Sequence, residues 1–204
     1  MKRLIGVLLL ALLIAPGWAF AGLVPPDTLI QNITNDVLDI IKNDPDLQNK
    51  GSVKAAVEQI DAKVLTHFNF KHMTSLAMGK EWRKATPEQQ TLLVKEFKEL
   101  LVRTYSNALT VYKNPTVNFK PSRLQPTDSE ALIRTVVQQP GVSPVDIDYH
   151  LEKLPDSWQV LDVVVAGVSL VTNYRDFFTQ EVRNGGVDGA IKSLRAKNQS
   201  METK

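Results

Sequence analysis

The amino-acid sequence predicts one α+β domain, with helices first, then about four strands of an antiparallel meander, then helices again. Three observations carry that expectation. Apolar residues recur at three- and four-residue spacing from Leu29 to Tyr112. The period then falls to two between Thr116 and Leu151, and the helical period returns after Val171. No internal repeat and no low-complexity linker divides the chain.

Each element has its own local reason. Leu29, Ile30, Ile33, Val37, Leu38, Ile40 and Ile41 lie on one stripe, which predicts a helix capped by Asp27 or Thr28 and stopped before Pro45. Val53, Val57, Ile60 and Val64 give a second helix after Gly51-Ser52, and Met73, Leu76 and Ala77 a short third one ending at Gly79. Thr86-Pro87-Glu88-Gln89 is a strong helix start: Thr at the N-cap, Pro at the first helical position, and Gln three residues after the cap to bond back. The stripe Leu93, Phe97, Leu100, Leu101, Tyr105, Leu109 and Tyr112 follows, and Asn114-Pro115 ends it. Val117 and Phe119, the β-rich run Ala131 to Val137, and Val145, Ile147, Tyr149 and Leu151 predict strands of a meander that turns at Pro140-Gly141. Trp158 to Ala166 is apolar on both faces except for Gln159 and Asp162, the pattern of a central strand covered on both sides. Val171 to Val182 reads as helix, Gly185-Gly186 as its break, and Val187, Ile191 and Leu194 as a last short helix before a polar tail.

Composition narrows the function. With 43% apolar and 23% charged residues, the chain has material for a core and is neither disordered nor polytopic. Lys2 and Arg3, the apolar run Leu4 to Ile14, and Ala19-Phe20-Ala21 form a cleaved secretory signal over residues 1–21, too short to be a spanning anchor. Without it the remaining 183 residues carry 22 basic and 22 acidic side chains, and no basic footprint for a nucleic acid is left. An exported chain with no cysteine must draw its stability from the core alone.

Catalytic and metal constellations are missing. Gly167-Val168-Ser169-Leu170-Val171 imitates a nucleophile elbow but lacks the last glycine, and His67, His72 and His150 all precede Ser169, which leaves that serine a capping role. His67 and His72 are five residues apart, which does not match zinc ligation. Asp146, Asp148 and His150 alternate with apolar residues and so form a wet strand face. Asp162, alone in its apolar run, calls for a cation or several donors, with Arg175 and Arg134 as the expected partners.

The run Trp158-Gln159-Val160-Leu161-Asp162-Val163-Val164-Val165-Ala166-Gly167-Val168-Ser169 through Tyr174-Arg175-Asp176-Phe177-Phe178 resembles the signature of the toluene-tolerance / MlaC family of periplasmic phospholipid carriers. Gly79-Lys80-Glu81-Trp82-Arg83-Lys84-Ala85-Thr86-Pro87-Glu88-Gln89 and the segment from Phe97 to Tyr105 resemble two further segments of that family, in the same order. The resemblance implies a carrier domain over residues 22–204, monomeric and periplasmic, in which a twisted antiparallel sheet of about four strands is wrapped by helices around a cone-shaped apolar cavity for the acyl chains of a diacyl phospholipid. It also implies partners at both membranes, an outer-membrane complex of lipoprotein and porin and an inner-membrane ABC transporter with an MCE subunit. Neither catalytic residues nor a cofactor or metal is implied, and lipid is the cargo. With such a cavity in view, the periodicities nominate Tyr105 and Leu109 on the long helix, Tyr149 and Leu151 on one strand face, Val163 and Val165 on the next strand, and Phe177 on the helix after it as lipid-binding wall residues. Two other classes remain to be tested: an enzyme of the same cone-shaped fold using Asp162 on a lipid-like substrate, and a chaperone or adaptor presenting an exposed apolar patch.

Overall fold

The computed structural model describes residues 23–48, 54–106, 114–125 and 127–202. The expected signal and the Leu109 and Tyr112 end of the long helix lie outside these residues. Helix α1 spans Pro26–Asn43 and buries Leu29, Ile30, Ile33, Ile40 and Ile41, the expected stripe. Its start differs from expectation: Pro25 occupies the N-cap with no side-chain bond, while the Asp27 carboxylate accepts the neighbouring Thr28 amide at 2.8 Å. Two successive prolines with φ already fixed set the first turn without a polar cap. The chain leaves α1 before Pro45, which opens the short α2 (Pro45–Gln48), and the buried Asp44 carboxylate accepts the Asp46 and Leu47 amides at 2.9 and 3.1 Å.

Helix α3 covers Lys54–Lys63, and a 3-10 turn at Leu65–His67 leads to α4, Phe70–Met78. Asn69 caps α4 by accepting the His72 amide at 3.0 Å, and Gly79, at φ 56°, ends it in a backbone region that favours glycine. Helix α5 spans Pro87–Ser106 and opens on the expected reciprocal cap: Gln89 N–H donates to Thr86 Oγ1 at 3.2 Å, and Thr86 N–H donates to Gln89 Oε1 at 3.0 Å.

The C-terminal reading needs correction. A 3-10 turn at Thr172–Tyr174 precedes α6, which runs Arg175–Glu202 as one element kinked at Gly186 (φ 67°, ψ −168°). The expected polar tail is helical because α5 holds it. Buried Glu96 accepts Arg195 Nε at 2.8 Å and Asn198 Nδ2 at 3.2 Å, and its carbonyl accepts Asn198 Nδ2 at 3.0 Å. Beside the kink, Gln89 Nε2 donates to Asp188 Oδ1 at 2.7 Å.

The sheet is a meander of five antiparallel strands in the order β1 (Thr116–Phe119), β2 (Glu130–Gln139), β3 (Val142–Lys153), β4 (Trp158–Val165) and β5 (Val168–Ser169). The two-residue β5 adds to the four strands expected. It closes a tight turn in which Ala166 (φ 49°) and Gly167 (φ 82°) both take left-handed backbone. The central strand is β3, not β4, and β4 is not covered on both faces: Trp158, Val160 and Val163 are buried while Leu161, Asp162, Val164 and Val165 are partly exposed. A register shift between His150 and Leu151 leaves Leu161 without an opposite residue, which is why apolar residues run together there instead of alternating.

Two main cores result. Helices α4, α5 and α6 share one, built on Phe97, Leu93, Leu100, Phe178 and Leu194. The other lies between α1 and the sheet, with Ile30, Ile33, Ile133, Leu151 and Val160 at its centre. Phe68 and Leu170 pack against both. Among the described residues, no helix is long and apolar enough to cross a membrane.

Candidate functional site

Strand register and side-chain alternation put one set of residues on the sheet face that α1 covers. Following the pairings across strands, Trp158 and Lys153 stand at one end of this face, and four rows follow them. Val160, Leu151 and Ala131 form the first, and Val163, Tyr149 and Ile133 the second. Val165, Ile147, Thr135 and Phe119 form the third, and Val145, Val137 and Val117 the fourth. Within these four rows the polar groups are the Thr135 hydroxyl and the Tyr149 phenol, and the former is used, donating to the Ile147 carbonyl at 2.9 Å.

Burial falls steadily along these rows. All three residues of the first row are buried; in the second, Tyr149 is partly exposed; in the third only Thr135 is buried; in the fourth none is. The cause is the placement of α1, whose Leu29, Ile30 and Ile33 pack over the first rows. The far rows therefore form an apolar floor of valines, Ile147 and Phe119 without a full cover. At its edge, Val168, paired with Val165, is 51% exposed. Exposed apolar surface that is contiguous and enclosed on one side is the physical requirement for holding a hydrocarbon chain.

The expected wall residues divide over this architecture. Tyr149, Leu151, Val163 and Val165 share the floor face, Leu151 and Val163 beneath α1 and Tyr149 and Val165 further out. Tyr105 and Phe177 are partly buried against the helical core, where Phe177 stacks edge-on with Tyr174 and Phe178 at centroid distances of 6.5 and 5.4 Å. Leu109 lies outside the described residues. Sequence reading missed Ile147, Val137, Val117 and Phe119 as floor residues, although their alternation on one strand face was visible; which end of each strand stays uncovered depends on where α1 docks. Burial pushes the Tyr149 phenol up to about 12, opposed in part by its contact with the Thr135 hydroxyl. Tyr105 is also raised, by burial and then by the neighbouring Tyr174.

Asp162 overturns an expectation. Neither Arg175 nor Arg134 pairs with it; its carboxylate accepts the Ser169 hydroxyl and, at 3.1 Å, the Val171 amide. Ser169 in turn accepts the Thr172 amide at 2.9 Å, the capping role its sequence position suggested. Two donors from the adjoining turn satisfy a partly exposed carboxylate without a cation, and the Arg175 guanidinium instead reaches the Leu76 carbonyl at 3.3 Å. Asp162 pairs with His150 across the strands and so points away from the floor, onto the opposite face of the sheet. That face is polar: Asp146 is bonded by Lys120 at 2.6 Å.

Two clefts open elsewhere. One of about 440 Å³ lies between α1 and the residues leading into β1, lined by Asn35, Leu38, Asp39, Lys42, Asn114 and Pro115. The other, about 280 Å³, surrounds the His72–Glu152 contact of 3.0 Å, where Asn69 Nδ2 also donates to Glu152 at 2.7 Å, and ties α4 to β3. Among the described residues, no three His, Asp or Glu side chains converge as metal ligands would.

Comparison with known proteins places this architecture. The chain is 28% identical over 166 residues to the toluene tolerance protein ttg2D of Pseudomonas putida, covering 80% of this chain and 75% of that one. It is 26% identical over 134 residues to the intermembrane phospholipid transport system binding protein MlaC of Haemophilus influenzae, covering 64% of this chain and 63% of that protein. A solved structure of the phospholipid-binding protein from Ralstonia solanacearum, in complex with a phospholipid, superposes with a TM-score of 0.82 at 36% identity, over 88% of this chain and 99% of the other. The profile of the MlaC protein family matches residues 31–196, from within α1 to the last turns of α6, and the chain belongs to that family.

Proposed function

We propose that the protein is a periplasmic carrier of diacyl phospholipid, whose acyl chains lie along the apolar floor. The observation that carries this reading is the burial gradient: four consecutive rows of mostly apolar side chains on one sheet face, covered by α1 at only one end. The phospholipid bound to the Ralstonia relative of the same fold supports the choice of cargo. Tyr149, Leu151, Val163 and Val165 are the lipid-contacting side chains on the strands, joined by Ile147 and Phe119, and Tyr105 and Phe177 are those on the helices.

Physics explains why a carrier is needed. Each methylene kept from water is worth about 0.8 kcal/mol, so a sixteen-carbon chain resists desorption by about 12 kcal/mol and a diacyl lipid by roughly twice that. Free passage across an aqueous gap is negligible at that cost. The exchange partners are the outer-membrane lipoprotein and porin complex and the inner-membrane transporter with its MCE subunit, and a formally neutral mature chain avoids adhering to anionic bilayers between them. Among the described residues, Asp162 faces away from the floor, and the Tyr149 phenol on it, pushed up to about 12, stays protonated near neutral pH.

The test is organic extraction of the purified protein followed by mass spectrometry, then reloading of the lipid-free protein from phospholipid vesicles. Diacyl phospholipid at a fixed ratio in both steps is expected. Failure to reload from vesicles while the protein remains folded would overturn the reading.

A further inference from the structure

Three buried side-chain polar atoms have no hydrogen-bond partner among the described residues: Thr34 Oγ1, Glu81 Oε2 and Asn198 Oδ1. Two of these belong to groups that are otherwise held. The Glu81 carboxylate lies 2.5 Å from Lys84 Nζ, and the Asn198 amide nitrogen is bonded twice to Glu96. The Thr34 hydroxyl has nothing, and the residue is only 8% exposed.

A threonine inside a helix ordinarily settles this by donating to the carbonyl four residues back. Among the described residues three threonines do so: Thr74 to Phe70 at 2.6 Å, Thr91 to Pro87 at 2.9 Å and Thr104 to Leu100 at 2.7 Å. For Thr34 the equivalent acceptor is the Ile30 carbonyl, and that bond is not made. Its hydroxyl is left as an unused donor and acceptor in a buried place.

That place lies between two different surfaces. With about 100° of turn per residue, Thr34 lies about 40° round α1 from Ile30, and Leu38 and Lys42 follow in the same direction. Ile30 belongs to the core over the sheet, while Leu38 and Lys42 line the polar cleft of about 440 Å³ with Asn35, Asp39 and Asn114. Thr34 thus marks the boundary where α1 passes from its hydrocarbon-facing side to its polar flank. A glycerophospholipid has the same order of chemistry: acyl chains, then two ester carbonyls that accept hydrogen bonds, then a charged headgroup.

We propose that the Thr34 hydroxyl donates to an ester carbonyl of the bound lipid, setting its depth and favouring ester-linked over ether-linked chains. This inference rests on the phospholipid reading above. A neutral hydrogen bond made at a buried site corresponds to about three- to tenfold in affinity.

The experiment compares uptake of diacyl phosphatidylcholine and of its dialkyl ether analogue, with equal chain lengths, by lipid-free wild type, Thr34→Val and Thr34→Ser. Wild type and Thr34→Ser are expected to prefer the diester by about three- to tenfold, and Thr34→Val to lose that preference while binding the ether lipid as wild type does. An unchanged diester preference in folded Thr34→Val overturns the inference and leaves the phospholipid reading standing. Wild type that takes up neither lipid overturns that reading, and this inference with it. Thermal melting supplies an independent check: without lipid, Thr34→Val should melt at or above the wild-type temperature, because a methyl replaces an unpaired hydroxyl. A clear fall in melting temperature would assign the hydroxyl a partner within the protein and overturn the inference.

Discussion

A charge placed at the two ends of the floor should have opposite consequences, and Val165→Lys against Leu151→Asp is the sharpest pair. Val165 is partly exposed and its cross-strand partner Val168 is 51% exposed, so a lysine there can run its stem along the sheet and keep its ammonium in water. Burying a valine fully is worth about 1.5–3 kcal/mol, and about half of that is at stake, so the empty protein should lose about 1 kcal/mol. A global stability of roughly 5–15 kcal/mol absorbs such a loss. Acyl chains on the floor change the balance, because the ammonium must then enter hydrocarbon or displace it, at an effective cost of several kcal/mol. A penalty of only about 3 kcal/mol corresponds to more than a hundredfold weaker lipid binding. Leu151, at 1% exposure beneath α1, has no route to water, and losing its packing costs about 2–5 kcal/mol before the charge is counted. Uptake of a fluorescent phospholipid from vesicles, measured beside circular-dichroism melting, reads both effects. Val165→Lys should stay folded and lose lipid uptake, and Leu151→Asp should not fold. Wild-type uptake by folded Val165→Lys, or normal melting of Leu151→Asp, would refute the account of which end of the floor is open.

Three further outcomes follow from the geometry. Asp162→Ala removes the acceptor of the Ser169 hydroxyl and the Val171 amide and should cost about 1–3 kcal/mol in urea unfolding, with lipid uptake by the folded fraction unchanged. Tyr149 binds its proton more tightly in the folded chain, with a pKa of about 12 against 10.0, so its contribution is complete below pH 10 and is lost as pH rises toward 12; spectrophotometric titration of wild type and Tyr149→Phe should show less alkaline destabilisation in the variant. Ala166→Gly relieves a left-handed backbone at φ 49° with an alanine in it and should raise stability by about 1 kcal/mol, readable as a higher denaturant midpoint with unchanged slope.

Local chemistry was the legible part. The Thr86–Gln89 reciprocal cap, the α1 stripe, the end of α4 at Gly79 and the capping use of Ser169 depend on a few adjacent residues, and the sequence carries them openly. Readings that depended on distant partners fared worse. Asp162 was assigned an arginine because a carboxylate in an apolar run demands compensation, yet the turn after β4 brought an amide and a hydroxyl closer than any cation. The polar composition after Leu194 reads as tail, and partners about a hundred positions earlier on α5, Glu96 and Thr104, hold it as helix. On the floor, alternation identified the apolar face of β3 and β4, but the division into covered and open rows is set by the docking of α1 and has no signature in the strands themselves.

The strand order has a consequence for how the molecule comes together. Every strand pairs only with its neighbours in sequence, so the sheet can close hairpin by hairpin, across connections of two to four residues from β2 to β5 and of ten between β1 and β2. Helix α1 precedes β2 by some ninety residues and must close a far larger loop to reach it. Loop-closure entropy thus favours completing the apolar face before its cover docks, and a sheet without that cover exposes adhesive surface to lipid and to other unfolded chains.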